Sequence, residues 1–491
     1  MPEPRRTLRS ALPPAPAAAL SLLTALTLGG CVPAAQDPGQ TPTGPTPNGQ
    51  AAAPSGQTTA PAVPNASETA EPSGTGPADT PEALVAAVRQ DALREDLEAI
   101  ERIARENGGH RASGTPGADA TVEYVVAELE EAGYEVQLQP FEGTYRENTA
   151  HAFTLRGPAP RSLDYTVLRY SPAITAQNAP LRAPAVADGC SSADWGGADL
   201  TGAIALVSVA GDCSLSTKSA VARSAGAVGV VVYNDADGPL YASLGYPHED
   251  HAGTVAVSGE LGRDLLAAAR TGQARVDLRV DEKVEQRTFV NVLAEAPGRS
   301  QDAVLVGAHL DSVPFGPGIH DNATGVAAVL EIARRAAGSG PHEHPVRFAL
   351  WSAEEIGLQG SRHYVDALTD AEAQRIALYV NVDMVAPVDT DDPVRVLADS
   401  GRPGAERLLA DQLRRDGETT AVTESTGWSD FGPFRWADIP ATGLFSEDDA
   451  ANHTPDDGPQ NVSVERLERS TRALGHLVGV LRDDASALTA R

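Results

Sequence analysis

Val304-Leu305-Val306-Gly307-Ala308-His309-Leu310-Asp311 is an apolar run that ends in a histidine and an aspartate. The turn Gly316-Pro317-Gly318-Ile319-His320-Asp321-Asn322 follows, and then a helical stretch from Ala323 to Ala337. A short run that is apolar at nearly every position reads as a strand covered on both faces, the kind found in parallel sheets. Val290 to Ala294, Val346 to Trp351 and Leu378 to Asp383 have the same character. Ser361 to Asp366, Gly404 to Arg415 and Val464 to Leu481 read as helices between or after them. The pattern predicts an α/β fold, with a mixed central sheet flanked by helices on both faces. Ligands in such folds gather beyond the carboxyl ends of strands. His309, Asp321, Glu354, Glu355 and Asp383 all fall where a strand run has just ended.

Working outward, residues 80–164 read as the first part of this domain and 276–485 as its second. Thr80 can cap a helix that starts at Pro81, with Leu84, Val88, Leu97, Ile100 and Ile103 as its apolar stripe and Gly108-Gly109 as its stop. A second helix is expected from Ala120 to Ala132, and an alternating strand from Tyr134 to Leu138. Between 165 and 275 the texture changes. Strands Ala203 to Val209 and Val228 to Tyr233 flank the helix-like Ser219 to Ala225, a small β-rich unit inserted into the larger domain.

The N-terminus has the marks of export. Arg5, Arg6 and Arg9 precede a small, apolar stretch, Ala11 to Leu28, which proline interrupts and which is too short to span a membrane. Residues 1–30 therefore read as a signal peptide. Leu28-Gly29-Gly30-Cys31 resembles the lipobox of bacterial lipoproteins, in which the cysteine receives lipid. Both a lipoprotein signal and an ordinary one place the chain outside the cytoplasm, the former on the outer face of the cell membrane. Residues 31–79 are rich in Pro, Thr, Gly, Ala and Ser and read as a flexible tether. The chain has three cysteines. With Cys31 lipidated, Cys190 and Cys213 remain as a pair, and export permits a disulfide worth roughly 3 kcal/mol. The formal charge is -29, and only Lys218 and Lys283 are lysines. No basic patch is visible, which argues against nucleic acid as a partner.

The chemistry-bearing residues each have a bland reading beside the sharp one. His309 at a strand end, with Asp311 two residues on, suits a metal-binding imidazole supported by a carboxylate; a lone His-x-Asp is more often structural. Asp321 could cap the helix that follows it, or bridge two metal ions. In Trp351-Ser352-Ala353-Glu354-Glu355-Ile356-Gly357-Leu358 the neighbouring carboxylates diverge on an extended backbone, so one can bind metal while the other works as a general base. An exposed acidic pair opening a helix is the alternative. Asp383 closes the strand run Asn381-Val382-Asp383. His453, in Asn452-His453-Thr454-Pro455, would by itself read as a surface loop residue.

Together these blocks resemble the M28 zinc peptidases, particularly secreted aminopeptidases of the Streptomyces type. The resemblance rests on Gly307–Ser312, Gly318–Asn322, Ala353–Gly357, Asn381–Met384, Ser429-Asp430 with Phe434, Ile439–Phe445 and His453–Pro455, and upstream on Asn107–Gly117. It spans residues 82 to about 483. It implies two Zn2+ ions per chain: one on His309, Asp321 and Asp383, the other on Asp321, Glu355 and His453. It implies Glu354 as the base that takes a proton from the attacking water, and Asp311 as support for His309. The substrates implied are peptides with a free N-terminus, with a hydrophobic pocket for the first side chain. The insert, carried by Cys190–Trp195 and Gly226–Asn234, resembles the protease-associated domain, which shapes access or binds partners and holds no catalytic residue.

Two positions depart from the family pattern. His320 stands where a small or amide residue is usual; its imidazole could touch the site or tune Asp321, but a solvent-facing loop histidine is expected. Asn452 stands where a tyrosine often stabilises the oxyanion, and its amide could serve there or touch substrate. The rival activities are carboxypeptidase, dipeptidase and glutaminyl cyclase, or a non-catalytic binding protein. A carboxypeptidase would need a cationic clamp, for which Arg402, Arg414 and Arg435 are candidates. The acidic residues could supply Ca2+ ligands, but no recognisable calcium loop is present.

Overall fold

The computed structural model describes residues 78–185, 188–388, 392–398, 400–424, 429–447 and 449–489. The stretches read as an export signal and a tether, Cys31 included, lie outside them apart from the last two tether residues. Four strands run parallel in the order Val346–Trp351, Ala303–His309, Ile376–Asp383 and Ala441–Phe445. Antiparallel neighbours flank them, Arg275–Ala296 on one side and Arg395–Leu397 on the other, so the sheet is mixed. Side chains alternate between its faces. Val304, Val306 and Ala308 share a core with helices Thr324–Ala336 and Val464–Leu481. Leu305 packs on the opposite face with Trp351, Tyr379 and Phe434. Burying such a side chain contributes about 1.5–3 kcal/mol, and both faces are filled this way. This is why the strands are apolar throughout.

The first helical stripe is broken where the sequence predicts continuity. Thr80 Oγ1 accepts from the Ala83 N–H (3.1 Å), as expected of a cap. The helix Pro81–Ala87 then ends at Val88, which is extended, and a second runs from Gln90 to Glu106. The Arg89 N–H is taken by the buried Glu331 carboxylate (2.7 Å) instead of by the preceding turn. Helix Pro116–Glu131 starts four residues before the expected Ala120. The strand expected over 134–138 is in fact Gln137–Arg156, paired antiparallel along Arg275–Ala296. Proline, glycine and several charges lie along it, so its ladder partner rather than its own periodicity sets its length.

This ribbon carries the insert. Ile174–Arg182 pairs with it and continues through the parallel strands Ile204–Ser208, Gly229–Tyr233 and Thr254–Val257. The helix read at 219–225 runs from Leu215 to Ser224. Cys190 and Cys213 are joined in a disulfide, with Cα atoms 5.8 Å apart.

Candidate metal centre

The carboxyl ends of the parallel strands bring His309, Glu354, Glu355 and Asp383 to one place, and two loops add Asp321 and His453. Asp321 lies between the histidines. Its Oδ1 is 3.1 Å from His309 Nε2 and its Oδ2 is 3.0 Å from His453 Nε2. Asp383 Oδ1 stands 3.3 Å from His309 Nε2, and Glu355 Oε1 stands 3.3 Å from His453 Nε2. The two triads, His309–Asp321–Asp383 and Asp321–Glu355–His453, therefore share one carboxylate, and each could hold a metal ion.

Asp383 Oδ1 and Glu355 Oε1 are buried without a hydrogen-bond partner. A buried carboxylate oxygen left bare is costly unless a cation meets it. In each outer carboxylate the other oxygen is tied: Asp383 Oδ2 accepts from Ser429 Oγ (2.6 Å), and Glu355 Oε2 pairs with Arg169 (2.9 Å). One oxygen is held and one is free, which suits a cation at each triad. The electrostatics agree. Burial disfavours charging the histidines, yet Glu355 and Asp321 push His453 up to about 11, and Asp383 and Glu354 hold His309 well above its ordinary value. The cluster attracts positive charge. The donor set of imidazole and carboxylate suits zinc.

The scaffolding explains why these side chains point inward. Asp321 does not cap the helix; Asn322 does, its Oδ1 accepting from the Gly325 N–H (2.9 Å) while its amide donates to Val382 O (2.9 Å). A Cβ on Gly325 would lie 2.3 Å from Val382 O, so only glycine lets this helix start against the strand. Asp457 accepts from the backbone N–H groups of His320 (2.8 Å) and Asp321 (3.1 Å). The upstream Asn107–Gly117 block acts as a brace. Buried Arg111 donates to the carbonyls of Leu310, Pro317 and Gly318, and Ser113 donates to Asp311 Oδ2 (2.9 Å). Ala353, Met384 and His453 sit in the left-handed region (φ 62°, 52° and 57°), which costs non-glycine residues about 1–2 kcal/mol each and places strain beside three of the ligand positions.

A directed chain of hydrogen bonds ends on Asp383. Trp351 Nε1 donates to Tyr379 Oη (2.8 Å), Tyr379 to Asn381 Oδ1 (2.8 Å), Asn381 Nδ2 to Ser429 Oγ (2.8 Å), and Ser429 to Asp383. Gly307 makes room for it, since a Cβ there would lie 2.6 Å from the indole nitrogen. Asp430, next in sequence to Ser429, is buried and raised to about 7 by burial, with the Asp383 and Asp311 carboxylates adding to the effect.

Glu354 is half-buried and held well above the ordinary carboxylate range by burial and by Glu355, Asp430 and Asp383, with His309 opposing. Such a group can accept a proton and pass it on. Asp311 relates to His309 mainly through its backbone. His309 Nδ1 is 3.1 Å from the Asp311 carbonyl and 3.6 Å from its carboxylate. The carboxylate instead accepts from the N–H groups of Glu354 and Glu355, both at 3.2 Å, and so orients the acidic pair.

One finding corrects the sequence reading. His320 is not solvent-facing. It is 1% exposed, with Nδ1 3.4 Å from Asp449, because the Asp321 loop turns inward at that point. Asn452 lines the cavity, where its amide donates to Asp321 Oδ2 (3.0 Å). The insert reaches the site. Arg169 touches Glu355 and stands 3.1 Å from His453 Nδ1, and Tyr170 donates to the Glu355 carbonyl (2.8 Å). No local motif marks Arg169; the fold alone brings it in. A cavity of about 950 Å3 opens above the cluster, walled by the body on one side and by Ser214, Ser216, Ser243 and Tyr246 of the insert on the other. Of the three arginines proposed as a clamp, none lines it.

Known proteins resemble this chain along most of its length. Residues 291–478 match the profile of peptidase family M28, and residues 177–265 that of the PA domain. A probable lipoprotein aminopeptidase of Mycobacterium tuberculosis is 36% identical over 379 residues, covering 73% of this chain and 74% of that protein. A probable leucine aminopeptidase 2 of Aspergillus fumigatus is 36% identical over 352 residues, covering 69% and 68%. Among solved structures, the aminopeptidase from Aneurinibacillus sp. strain AM-1 superposes with a TM-score of 0.65 at 27% identity, covering 81% of this chain and 95% of that one. A zinc aminopeptidase from Bacillus subtilis gives 0.66 at 26%, covering 81% and 98%. The M28 match falls on the strands whose ends carry the two triads, and with relatives this similar over this span the chain belongs to peptidase family M28.

Proposed function

We propose that this chain is a zinc-dependent aminopeptidase that acts outside the cytoplasm, with ions held at the two triads and Glu354 as general base. The observation that carries the reading is the shared carboxylate: Asp321 gives one oxygen to each histidine, while a bare oxygen of Asp383 and another of Glu355 complete the two triads. Bound there, two zinc ions would supply Lewis-acid polarisation of the scissile carbonyl and of the attacking water. Glu354, raised and facing the cavity, takes the proton from that water and delivers it to the leaving amine. Asp311 keeps the Glu354–Glu355 backbone in place, and the chain of donors from Trp351 to Ser429 fixes Asp383.

The aminopeptidase activity is supported by the names of the relatives and structural neighbours. The substrate class is a peptide with a free amine. Met384, Leu397, Phe431, Leu444 and Phe445 line the cavity beside the triads and suit an apolar first side chain. The arginines in the cavity wall are engaged, Arg169 by Glu355 and Arg395 by Asp392 and Glu447, which disfavours capture of a terminal carboxylate. Export and lipidation at Cys31 are supported by the signal-like N-terminus and by the lipoprotein description of the mycobacterial relative. Among the described residues no helix is long and apolar enough to cross a membrane.

The test is hydrolysis of free-amine aminoacyl anilides against N-blocked peptides with free carboxylates, with zinc counted on the same protein. Two zincs, turnover confined to free amines and its loss on Glu354→Ala are expected. Turnover confined to N-blocked peptides would replace the reading with a carboxypeptidase.

A further inference from the structure

The wall that the insert adds to the cavity differs in kind from the wall of the body. We propose that Ser216 is a substrate-binding residue held in place by His251, and that it hydrogen-bonds the backbone of the peptide beyond the scissile bond. The proposal rests on the aminopeptidase reading of the site and extends it to the part of the substrate that leaves as the shortened peptide.

A buried imidazole given over to one hydroxyl carries the argument. Ser214 caps the helix Leu215–Ser224, its Oγ accepting from the Thr217 N–H (3.1 Å). Ser216 therefore lies in the first turn, half-buried in the cavity wall. Behind it stands His251, 2% exposed. His251 Nε2 is 2.7 Å from Ser216 Oγ, and Nδ1 is buried without a hydrogen-bond partner. Burying a ring nitrogen that has no partner is costly, and an apolar side chain would fill the space without that cost. The ring's polar contact is the hydroxyl at the cavity. The pair is fixed by Ser219, one turn along the helix. It accepts from the Ala252 N–H (3.0 Å) and donates to Ala252 O (3.0 Å), so the segment carrying His251 is pinned to the helix carrying Ser216. Where an imidazole activates a serine for attack, a third group holds its other nitrogen. Among the described residues none does so here, and His251 positions the hydroxyl instead.

The chemistry of the wall identifies the ligand. A serine hydroxyl can donate once and accept twice. If Ser216 donates to the ring, it still accepts from an N–H; if the ring donates to it, it still donates to a C=O. Either suits a peptide backbone, which offers both groups at each residue. Apart from Arg169 at its base, the insert brings no charge to this wall among the described residues. Lys218 is fully buried and turned away, its ammonium donating to the carbonyls of Ser208 and Ala210. The body's wall carries the triads, the charged Arg395, Glu424 and Glu447, and the apolar pocket. A first residue whose carbonyl lies at the triads and whose side chain enters that pocket occupies the body side. The chain beyond the scissile bond is what reaches the insert. The cavity, about 950 Å3, is of the size that encloses a small ligand, which suits a short peptide.

The test uses the zinc-loaded full chain and two substrates. Leucinamide ends at the leaving nitrogen; a tetrapeptide of leucine followed by three alanines continues past it. For Ser216→Ala the ratio of kcat/KM, tetrapeptide over leucinamide, should fall about 3- to 10-fold through a rise in KM, as the loss of one hydrogen bond predicts. Leucinamide in the denominator corrects for any loss of folded enzyme. Ser216→Thr, which keeps the hydroxyl, should restore the ratio. His251→Phe should lower it as far, and the double variant no further than either alone, because His251 acts through Ser216. Should Ser216→Ala not fold, His251→Phe carries the same expectation. A ratio unmoved in Ser216→Ala overturns the proposal and leaves the aminopeptidase reading standing. A ratio unmoved in His251→Phe, or losses that multiply in the double variant, overturns the part given to His251. A wild type that hydrolyses neither compound overturns the aminopeptidase reading and the proposal with it.

Discussion

The two halves of the metal centre are built from the same residue types but by different parts of the molecule. The His309–Asp383 half rests on adjacent parallel strands, and a relay of donors from Trp351 holds its outer carboxylate. The Glu355–His453 half rests on a strand end and a loop, and a residue from the insert holds its carboxylate. Asp321 belongs to both. The difference teaches that one half is fixed by the core of the domain, while the other also takes a contact from the insert.

Glu354→Ala tests the general-base role proposed for Glu354. Activity should fall about 10^2- to 10^4-fold with zinc content unchanged, since general-base assistance is worth about that much. Loss of zinc along with activity would make Glu354 a ligand instead. His309→Ala and His453→Ala separate the halves directly. If the triads hold zinc, metal analysis should show each variant retaining less zinc than the wild type, with turnover down at least about 100-fold in each case. Unchanged zinc content in either variant would remove that histidine from the ligand set. Ser429→Ala removes the donor that ties Asp383 Oδ2 and should weaken zinc binding by about 10- to 100-fold.

Smaller effects concern the supports. Replacing both Cys190 and Cys213 by serine should lower unfolding stability by about 3 kcal/mol in a denaturant titration. Zinc content should stay where it was, because the disulfide lies in the insert. Asp449 orders the His453 loop by accepting from the N–H groups of Ala451 (2.7 Å) and Asn452 (2.9 Å). Against burial, hydrogen bonds from His320 and Asn461 lower its carboxyl from 3.8 to about 2. The stability it confers is present above 3.8 and is lost as pH falls through about 2. Asp449→Asn should therefore cost about 1–2 kcal/mol at pH 7 and nothing near pH 1.5 in thermal melts.

Much of the fold was legible because buried strands and amphipathic helices carry their own periodicity. Val346–Trp351 and Val464–Leu481 appear with the bounds read from sequence. The ribbon Gln137–Arg156 was not legible, since its partner lies more than a hundred residues away and its own residues do not alternate. The break at Val88 was hidden too, because its cause is a carboxylate 242 positions from Arg89. At the candidate site, residue types and order picked out side chains that the fold brings together. Orientation did not follow from them: His320 turned inward, Asn452 turned to Asp321, and Asp311 met the acidic pair through backbone N–H groups.

The sequence by itself determined the α/β class, the inserted unit, the candidate ligands and the cysteine pair, because each leaves a mark within a few residues of itself. Only the tertiary structure decided which oxygen of each carboxylate is free, how each imidazole is turned and that Arg169 stands at the centre. Those depend on contacts between segments far apart in the chain, and hydrogen-bond direction and charge at such contacts leave no local pattern to read.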